Sequence, residues 1–341
     1  MQLIKTPTKG MNDYLPRETR LREYVKGVII RAYEKNGFSM IETPAVEHIE
    51  NLTGKNGGDN EKLIFKIMKR GEKLNEAAGN DAELCDSGLR YDLTVPLSRY
   101  YANNQAKLPS PFMAMQIGNV WRADRPQKGR FRQFTQCDID ILGDSTQLAE
   151  ITLISATTGV LRELGFDNFT VRINDRRLLK VCADYCGFKP EDCDKVFITL
   201  DKMDKIGLDG VKRELVEEGF DEASVEKYVA LYENCDAVSV SEFAADRLGG
   251  NGADIAASLE SIMRCATAAT AGGCSLKFDP TLVRGMSYYT GTIFEISMDG
   301  YGYSVAGGGR YDEMLAKFSG QKTPACGFSL GFERIVAALA D

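Results

Sequence analysis

The chain has 341 residues, 43% of them hydrophobic and 27% charged, with a formal net charge of −7. That length supports a large core and two domains, or one domain with an insertion, while the acidic balance argues against a general nucleic-acid coat and leaves room for a local basic face. No apolar run reaches the roughly 18 residues of a membrane span, and the opening MQLIKTPTKGMNDYLP lacks a signal-peptide core, so a cytoplasmic protein without membrane contact is expected.

In chain order, residues 17–36 read as an amphipathic helix, with Leu21, Tyr24, Val25, Val28, Ile29, Ala32 and Tyr33 at helical spacing and Gly37 as its stop. Phe38 to Thr43 read as a short strand ended by Pro44, residues 51–61 as a polar loop, Leu63 to Met68 as a strand and residues 73–86 as another loop. Leu89 to Thr94 read as extended, followed by a helix opened by Pro96. Val120 to Gly143 read as strand, basic loop, strand. The segment packs Arg122, Arg125, Lys128, Arg130 and Arg132 together and closes on alternating Asp138, Ile139, Asp140 and Ile141. Ser145 or Thr146 can cap a helix reaching about Leu164, and Phe169, Val171 and Ile173 alternate as a strand. From about Asp175 to Gly273 helical patterns dominate, and strand texture returns at Thr281. Thr292 to Met298 and Tyr301 to Val305 flank Asp299-Gly300, a hairpin turn signal. AGGGRYDEML and CGFSLGFERIVAALA end the chain as strand, loop and helix. The expected fold is α+β: an antiparallel sheet flanked by helices, interrupted by a helical insertion.

Nine cysteines without a CxxC pair fit reduced, mostly buried thiols, and a metal site is not expected. The one histidine, His48, has no nucleophile motif to serve. Chemistry therefore rests on arginines, carboxylates and tyrosines. A cation cluster in an acidic chain suits a phosphate chain. Arg122, Arg284 and Arg334 each lie beside a turn or strand in apolar company; converging, they could hold the phosphates of a nucleotide, and otherwise they are unrelated surface or ion-pair arginines. AGGGRYD lacks the lysine and hydroxyl residue of a phosphate loop and fits close backbone packing next to a planar ligand. Asp92 and Thr94 would share one face of an extended segment, as would Asp138 and Asp140. Such carboxylates suit an amine or imidazole, or a solvated strand face.

Together these segments resemble a class II aminoacyl-tRNA synthetase, and specifically the histidyl-tRNA synthetase family. TPTKGMNDYLP resembles its N-terminal signature, VWRADRPQKGRFRQF the class's second motif and GFSLGFERI the third. RYDLTVPLSRY resembles the substrate loop, and LVRGMSYYTGTIFE and AGGGRYD the two histidine-specific signatures. Pro44 sits where the first motif ends at a dimer interface. The resemblance implies a catalytic domain of residues 1–174 and 275–341, with a helical insertion at 175–274. It implies a histidine–tRNA ligase that makes histidyl-adenylate from L-histidine and ATP with Mg²⁺, then charges tRNA(His), as a homodimer. Arg122 and Arg284 would be catalytic, Arg284 as the cation at the α-phosphate. Asp92, Thr94, Arg122 and Gln136 would bind the amino acid's backbone groups, and Asp140, Tyr288 and Tyr289 its imidazole. Asp124, Arg130, Phe134 and Arg334, with Arg122, would bind ATP, Phe134 against adenine and Arg334 at the γ-phosphate. The magnesium would travel with ATP, without assigned protein ligands. Ser287 departs from the family's acidic or amide residue, which bears on the support of Arg284 and Tyr288. The sequence ends at Asp341, where the family continues into an anticodon-binding domain. A regulatory subunit of ATP phosphoribosyltransferase shares the core without that domain and is the alternative; the three arginines favour the enzyme.

Overall fold

The computed structural model describes residues 3–53, 58–80, 83–126, 130–235, 238–270, 273–285 and 288–340. Its strands are β1 (Ser39–Met40), β2 (Val46–His48), β3 (Lys66–Met68), β4 (Cys85–Leu89), β5 (Phe112–Trp121), β6 (Gln133–Leu142), β7 (Phe169–Asp175), β8 (Ser275–Phe278), β9 (Thr292–Met298), β10 (Ser304–Arg310) and β11 (Ala325–Leu330). The longer helices are α1 (Pro16–Lys35), α2 (Thr94–Asn104), α3 (Leu148–Glu163), α4 (Arg176–Cys186), α5 (Cys193–Leu200), α6 (Met203–Glu217), α7 (Glu222–Leu231), α8 (Ala253–Ala269) and α9 (Phe332–Ala340). Eight strands run in the order β1-β5-β6-β11-β10-β9-β7-β8, and β2-β4-β3 make a smaller sheet.

The large sheet is mixed. β9 pairs antiparallel with β7 and β10, but β1–β5 and β7–β8 are parallel. The two parallel pairs lie at the edges and depart from the expected antiparallel sheet. Parallel pairs arise where the connection is long enough to return the chain to the same end, as the helical run between β7 and β8 is. That run, α4 to α8, is helical as its patterning indicates. No described helix is long and apolar enough to cross a membrane.

The chain divides into two compact units: residues 1–140, 315–321 and 329–341 form unit 1, and residues 141–314 and 322–328 form unit 2. In unit 1, Pro16 opens α1 and the Glu18 carboxylate accepts from Leu15 N at 2.8 Å. Gly37, at φ +88°, ends the segment after α1. Val25, Val28, Ile29, Ala32 and Tyr33 are buried as their spacing predicts, but Tyr24 is exposed and Arg22 is buried. Arg22 is inside because Glu333 on α9 receives both its terminal nitrogens, at 2.5 and 2.8 Å. Other boundaries shift. β1 keeps only two residues of the expected strand at 38–43, β3 begins at Lys66, and residues 72–76 form a helical turn inside the expected loop.

In unit 2, β9 and β10 form the expected hairpin around Asp299 and Gly300, the latter at φ +82°. β10 starts at Ser304, later than the expected Tyr301, and its register shifts between Ser304 and Ala306. Arg310 is locked by Glu150 of α3 at 2.7 Å through both Nε and Nη2.

Candidate active site

In unit 1 the basic segment leaves β5 at Trp121. Arg122 N donates to Arg132 O at 2.9 Å, which ties the base of the loop. The Arg122 guanidinium lies 4.2 Å from the Tyr91 ring centroid and 5.1 Å from that of Phe134, and its Nε donates to Tyr91 O at 3.1 Å. A planar cation held between aromatic faces is fixed in direction, and its two terminal nitrogens carry the fork that fits a carboxylate or phosphate. Asp124 and Arg130 pair with each other, Nε to Oδ2 at 3.1 Å, and Arg132 Nε donates to Asp124 O. Lys128 lies outside the described residues. Arg334 stands on the first turn of α9, next to Glu333.

Asp92 corrects the reading of an extended segment shared with Thr94. The strand stops at Leu89, Leu93 is already in the right-handed helical region, and Thr94 begins α2. Asp92 Oδ1 accepts from Val95 N at 3.0 Å. An aspartate before a helix offers its carboxylate to the first unpaired N–H groups, and that wins over continued strand. Burial holds the Asp92 carboxyl above its usual range, against the pull of Val95 N and Arg122.

The alternation read in β6 holds: residues 136, 138 and 140 share a face. Asp138 and Asp140 are both buried. Ser329 of β11 donates to Asp138 Oδ1 at 2.5 Å and accepts from Gln136 Nε2 at 3.3 Å. Gln136 Oε1 is buried without a hydrogen-bond partner among the described residues. Burial, then Asp140, pushes the Asp138 carboxyl well above its usual range; Asp92 and Arg122 are also within electrostatic reach. Unit 1 therefore brings buried Asp92 and Asp138 within electrostatic reach of one oriented arginine, with Asp140 next to Asp138 on the same strand face.

Unit 2 carries Arg284, Tyr288 and Tyr289. Arg284 Nη1 meets Glu295 Oε2 at 2.5 Å, and Arg284 Nε is buried without a partner among the described residues. Burial works against its charge, and Tyr289 and Glu295 more than compensate, so its pKa rises. The Tyr288 and Tyr289 rings lie 4.8 Å apart, and Tyr311 stacks edge-on to Tyr288 at 5.9 Å. Ser287 lies outside the described residues.

The glycine run packs closely against its own chain, as the expectation of close backbone packing requires. It lies in strand β10, as its texture predicts. A Cβ on Gly308 would sit 2.0 Å from Gly327 O, and one on Gly307 would sit 2.6 Å from the Arg284 guanidinium. Gly309, at φ +158°, would meet Thr292 O at 2.5 Å.

The sequence model of the histidyl-tRNA synthetase family matches residues 10–335. The chain belongs to the histidyl-tRNA synthetase family. It is 48% identical to the histidine–tRNA ligase of Leifsonia xyli subsp. xyli, over 97% of this chain and 79% of that protein. The crystal structure of histidyl-tRNA synthetase from Nostoc sp. PCC 7120 superposes with a TM-score of 0.83 at 28% identity, covering 99% of this chain and 76% of that one. An ATP phosphoribosyltransferase regulatory subunit/histidyl-tRNA synthetase from Bacillus halodurans gives 0.81 at 22% identity, over 99% of this chain and 84% of that one, a likeness of fold.

Several residues of the family's motifs carry weight that pattern reading missed. Tyr91 orients Arg122, Ser329 links Gln136 to Asp138, and Glu333 ties α9 to α1 and accepts from Thr135 N at 3.0 Å. Ser329 is the polar, half-buried position in an otherwise buried β11, and Glu333 lies directly beside Arg334. Those are the signals that could have found them.

Proposed function

We propose that the chain activates L-histidine with ATP and transfers the histidyl group to tRNA(His). The observation that carries this reading is the buried carboxylate set: Asp92 and Asp138 within electrostatic reach of an Arg122 held against two rings, and Asp140 next to Asp138. Carboxylates suit the amino group and imidazole of histidine, and the arginine fork suits its carboxylate and the α-phosphate. In the first step a histidine carboxylate oxygen attacks the α-phosphorus, the bond to the β-phosphate oxygen breaks, and pyrophosphate leaves. In the second, the terminal ribose hydroxyl of the tRNA attacks the carbonyl carbon and AMP leaves.

Arg122 orients both reacting groups, and Asp92, Thr94 and Gln136 hold the amino acid. Asp140, Tyr288 and Tyr289 read the imidazole, with Asp138 as an addition to that set. Phe134 takes adenine on the face turned from Arg122, Asp124 and Arg130 place the nucleotide, and Arg334 meets the γ-phosphate. Arg284 stabilises charge at the α-phosphate; its Nε, buried and without a partner among the described residues, supports a further donor beyond the Glu295 pair. Mg²⁺ bound to the phosphates supplies further charge neutralisation. Among the described residues no group of three or more His, Cys, Asp or Glu side chains could hold a metal ion, so no protein ligand is assigned to it.

Residues 175–274 serve as a helical insertion into a catalytic domain of residues 1–174 and 275–341. Exposed Met40 and Val46, beside Pro44 and edge strand β1, support a homodimer interface there. Nine free cysteines support a reducing cytoplasm. The regulatory-subunit alternative is weaker, because the 48%-identical relative is a ligase and Arg122, Arg284 and Arg334 are all present.

Arg284→Ala tests the reading. It is expected to lower histidine-dependent ATP–pyrophosphate exchange about a hundredfold or more, roughly 3 kcal/mol of transition-state stabilisation, with the thermal midpoint little changed. Exchange by the variant near the wild-type rate contradicts the assignment.

A further inference from the structure

The strands of unit 2 lay a row of side chains across the sheet. The registers place Lys277 of β8 opposite Arg172 of β7, Arg172 opposite Glu295 of β9, and Glu295 opposite Gly307 of β10. Paired residues in adjacent strands share a face. Arg284 lies over the end of this row. Its Nη1 meets Glu295 Oε2 at 2.5 Å, and the space its guanidinium fills is the space a Gly307 side chain would take. On the far side of Glu295 stands Arg172, 3.8 Å from Oε1 and anchored by Asp279 at 2.5 Å. A second carboxylate, Asp201 at the end of α5, lies within electrostatic reach of Arg284.

An arginine side chain has many rotamers, and a cation that acts on a transition state works only when its direction is fixed beforehand. The row supplies that direction from two sides. Glu295 pulls the guanidinium by charge, and Gly307 leaves the clearance into which it is pulled. Arg172, held by Asp279, braces Glu295 from the opposite flank.

We propose that Glu295 and Gly307 form a seat that positions Arg284 for adenylate formation, with Glu295 a positioning residue and Gly307 the residue whose missing side chain makes room. This rests on the catalytic reading of Arg284. It also gives the first glycine of the AGGG run a role: any side chain there displaces the tip of Arg284 rather than the backbone, so the fold survives while the cation is misplaced.

The test compares Glu295→Gln, Gly307→Ala and Arg284→Ala in steady-state pyrophosphate exchange, with thermal midpoints measured alongside. A displacement of about 1 Å can cost about a hundredfold, so both seat variants are expected to lose roughly 10- to 100-fold in kcat. KM for ATP and histidine is expected to stay within about threefold, since binding in the ground state is little affected. Guanidinium ion added to Arg284→Ala is expected to restore part of the lost rate. The rescue is expected to vanish in Arg284→Ala/Glu295→Ala, because Glu295 is what binds the ion. Loss of exchange in Arg284→Ala with wild-type kcat in both seat variants overturns the seat alone. Wild-type exchange in Arg284→Ala overturns the catalytic reading and the seat with it.

Discussion

Replacing Arg22 with methionine keeps most of the buried stem and removes the guanidinium. Glu333 then loses two charged donors, at 2.5 and 2.8 Å, and keeps Thr135 N at 3.0 Å and the Tyr14 hydroxyl at 3.5 Å. Both side chains of the pair are only 10% exposed. Removing one partner of a buried pair costs about 3–5 kcal/mol, because the other charge is left without compensation. The residual exposure and the remaining donors put this case near the lower end, at about 3 kcal/mol. Trp121 is the single tryptophan and belongs to the same unit, so its fluorescence during urea unfolding reports this unit directly. With a slope of about 2 kcal/mol per molar, the midpoint is expected to fall by about 1.5 M. Glu333→Gln removes the charge from the other side, and the double variant is expected to recover at least about 1.5 kcal/mol of the summed losses. A midpoint within about 0.3 M of wild type, or a strictly additive cycle, refutes the reasoning.

The Asp138 carboxyl, raised by burial and then by Asp140, favours the protonated form in the folded state. Its stabilising contribution is fully present below the unfolded value of about 3.9 and is lost as pH rises through the higher folded value. Asp138→Asn mimics the protonated group, so it is expected to flatten the pH dependence of stability above pH 4, gain stability at pH 7.5 and weaken histidine binding; urea midpoints at pH 4.5 and 7.5 check this, and no gain at pH 7.5 contradicts it. Gly308→Ala puts a methyl group 2.0 Å from Gly327 O and is expected to cost about 3 kcal/mol or more, read as a fall in thermal midpoint or as insoluble protein; a wild-type midpoint contradicts that. Asp140→Ala is expected to weaken histidine by about tenfold or more in calorimetric titration while leaving ATP within about threefold, because a site built for a polar ring depends on its own polar partners; intact histidine affinity removes the imidazole-reading role.

Local signals were legible where one physical term dominates. The i, i+3, i+4 spacing of Val25, Val28, Ile29 and Ala32 names the inner face of α1, and the alternation of Asp138, Ile139, Asp140 and Ile141 puts the two aspartates on one face of β6. The sequence misleads where a long-range contact overrides the local one. Arg22 falls outside the apolar spacing of α1, and what buries it is Glu333, 311 positions away. Asp92 reads as a strand residue because its neighbours are β-prone, yet its carboxylate starts a helix. The AGGG run reads as closely packed backbone without naming its neighbour, because glycine reports only that a side chain is forbidden, not what forbids it. What forbids it is a neighbouring strand at Gly308 and an arginine tip at Gly307, and neither is encoded nearby. The parallel edge pairs depend on long connections and leave no periodic trace.

The measurement that bears most directly on function is ATP–pyrophosphate exchange by the unmodified chain, with labelled pyrophosphate and each amino acid in turn. Label is predicted to enter ATP when histidine is present and to stay at background with the other amino acids. A chain that binds histidine in calorimetry yet exchanges no label, with Arg122, Arg284 and Arg334 all in place, contradicts the ligase account and points to a histidine-sensing regulator.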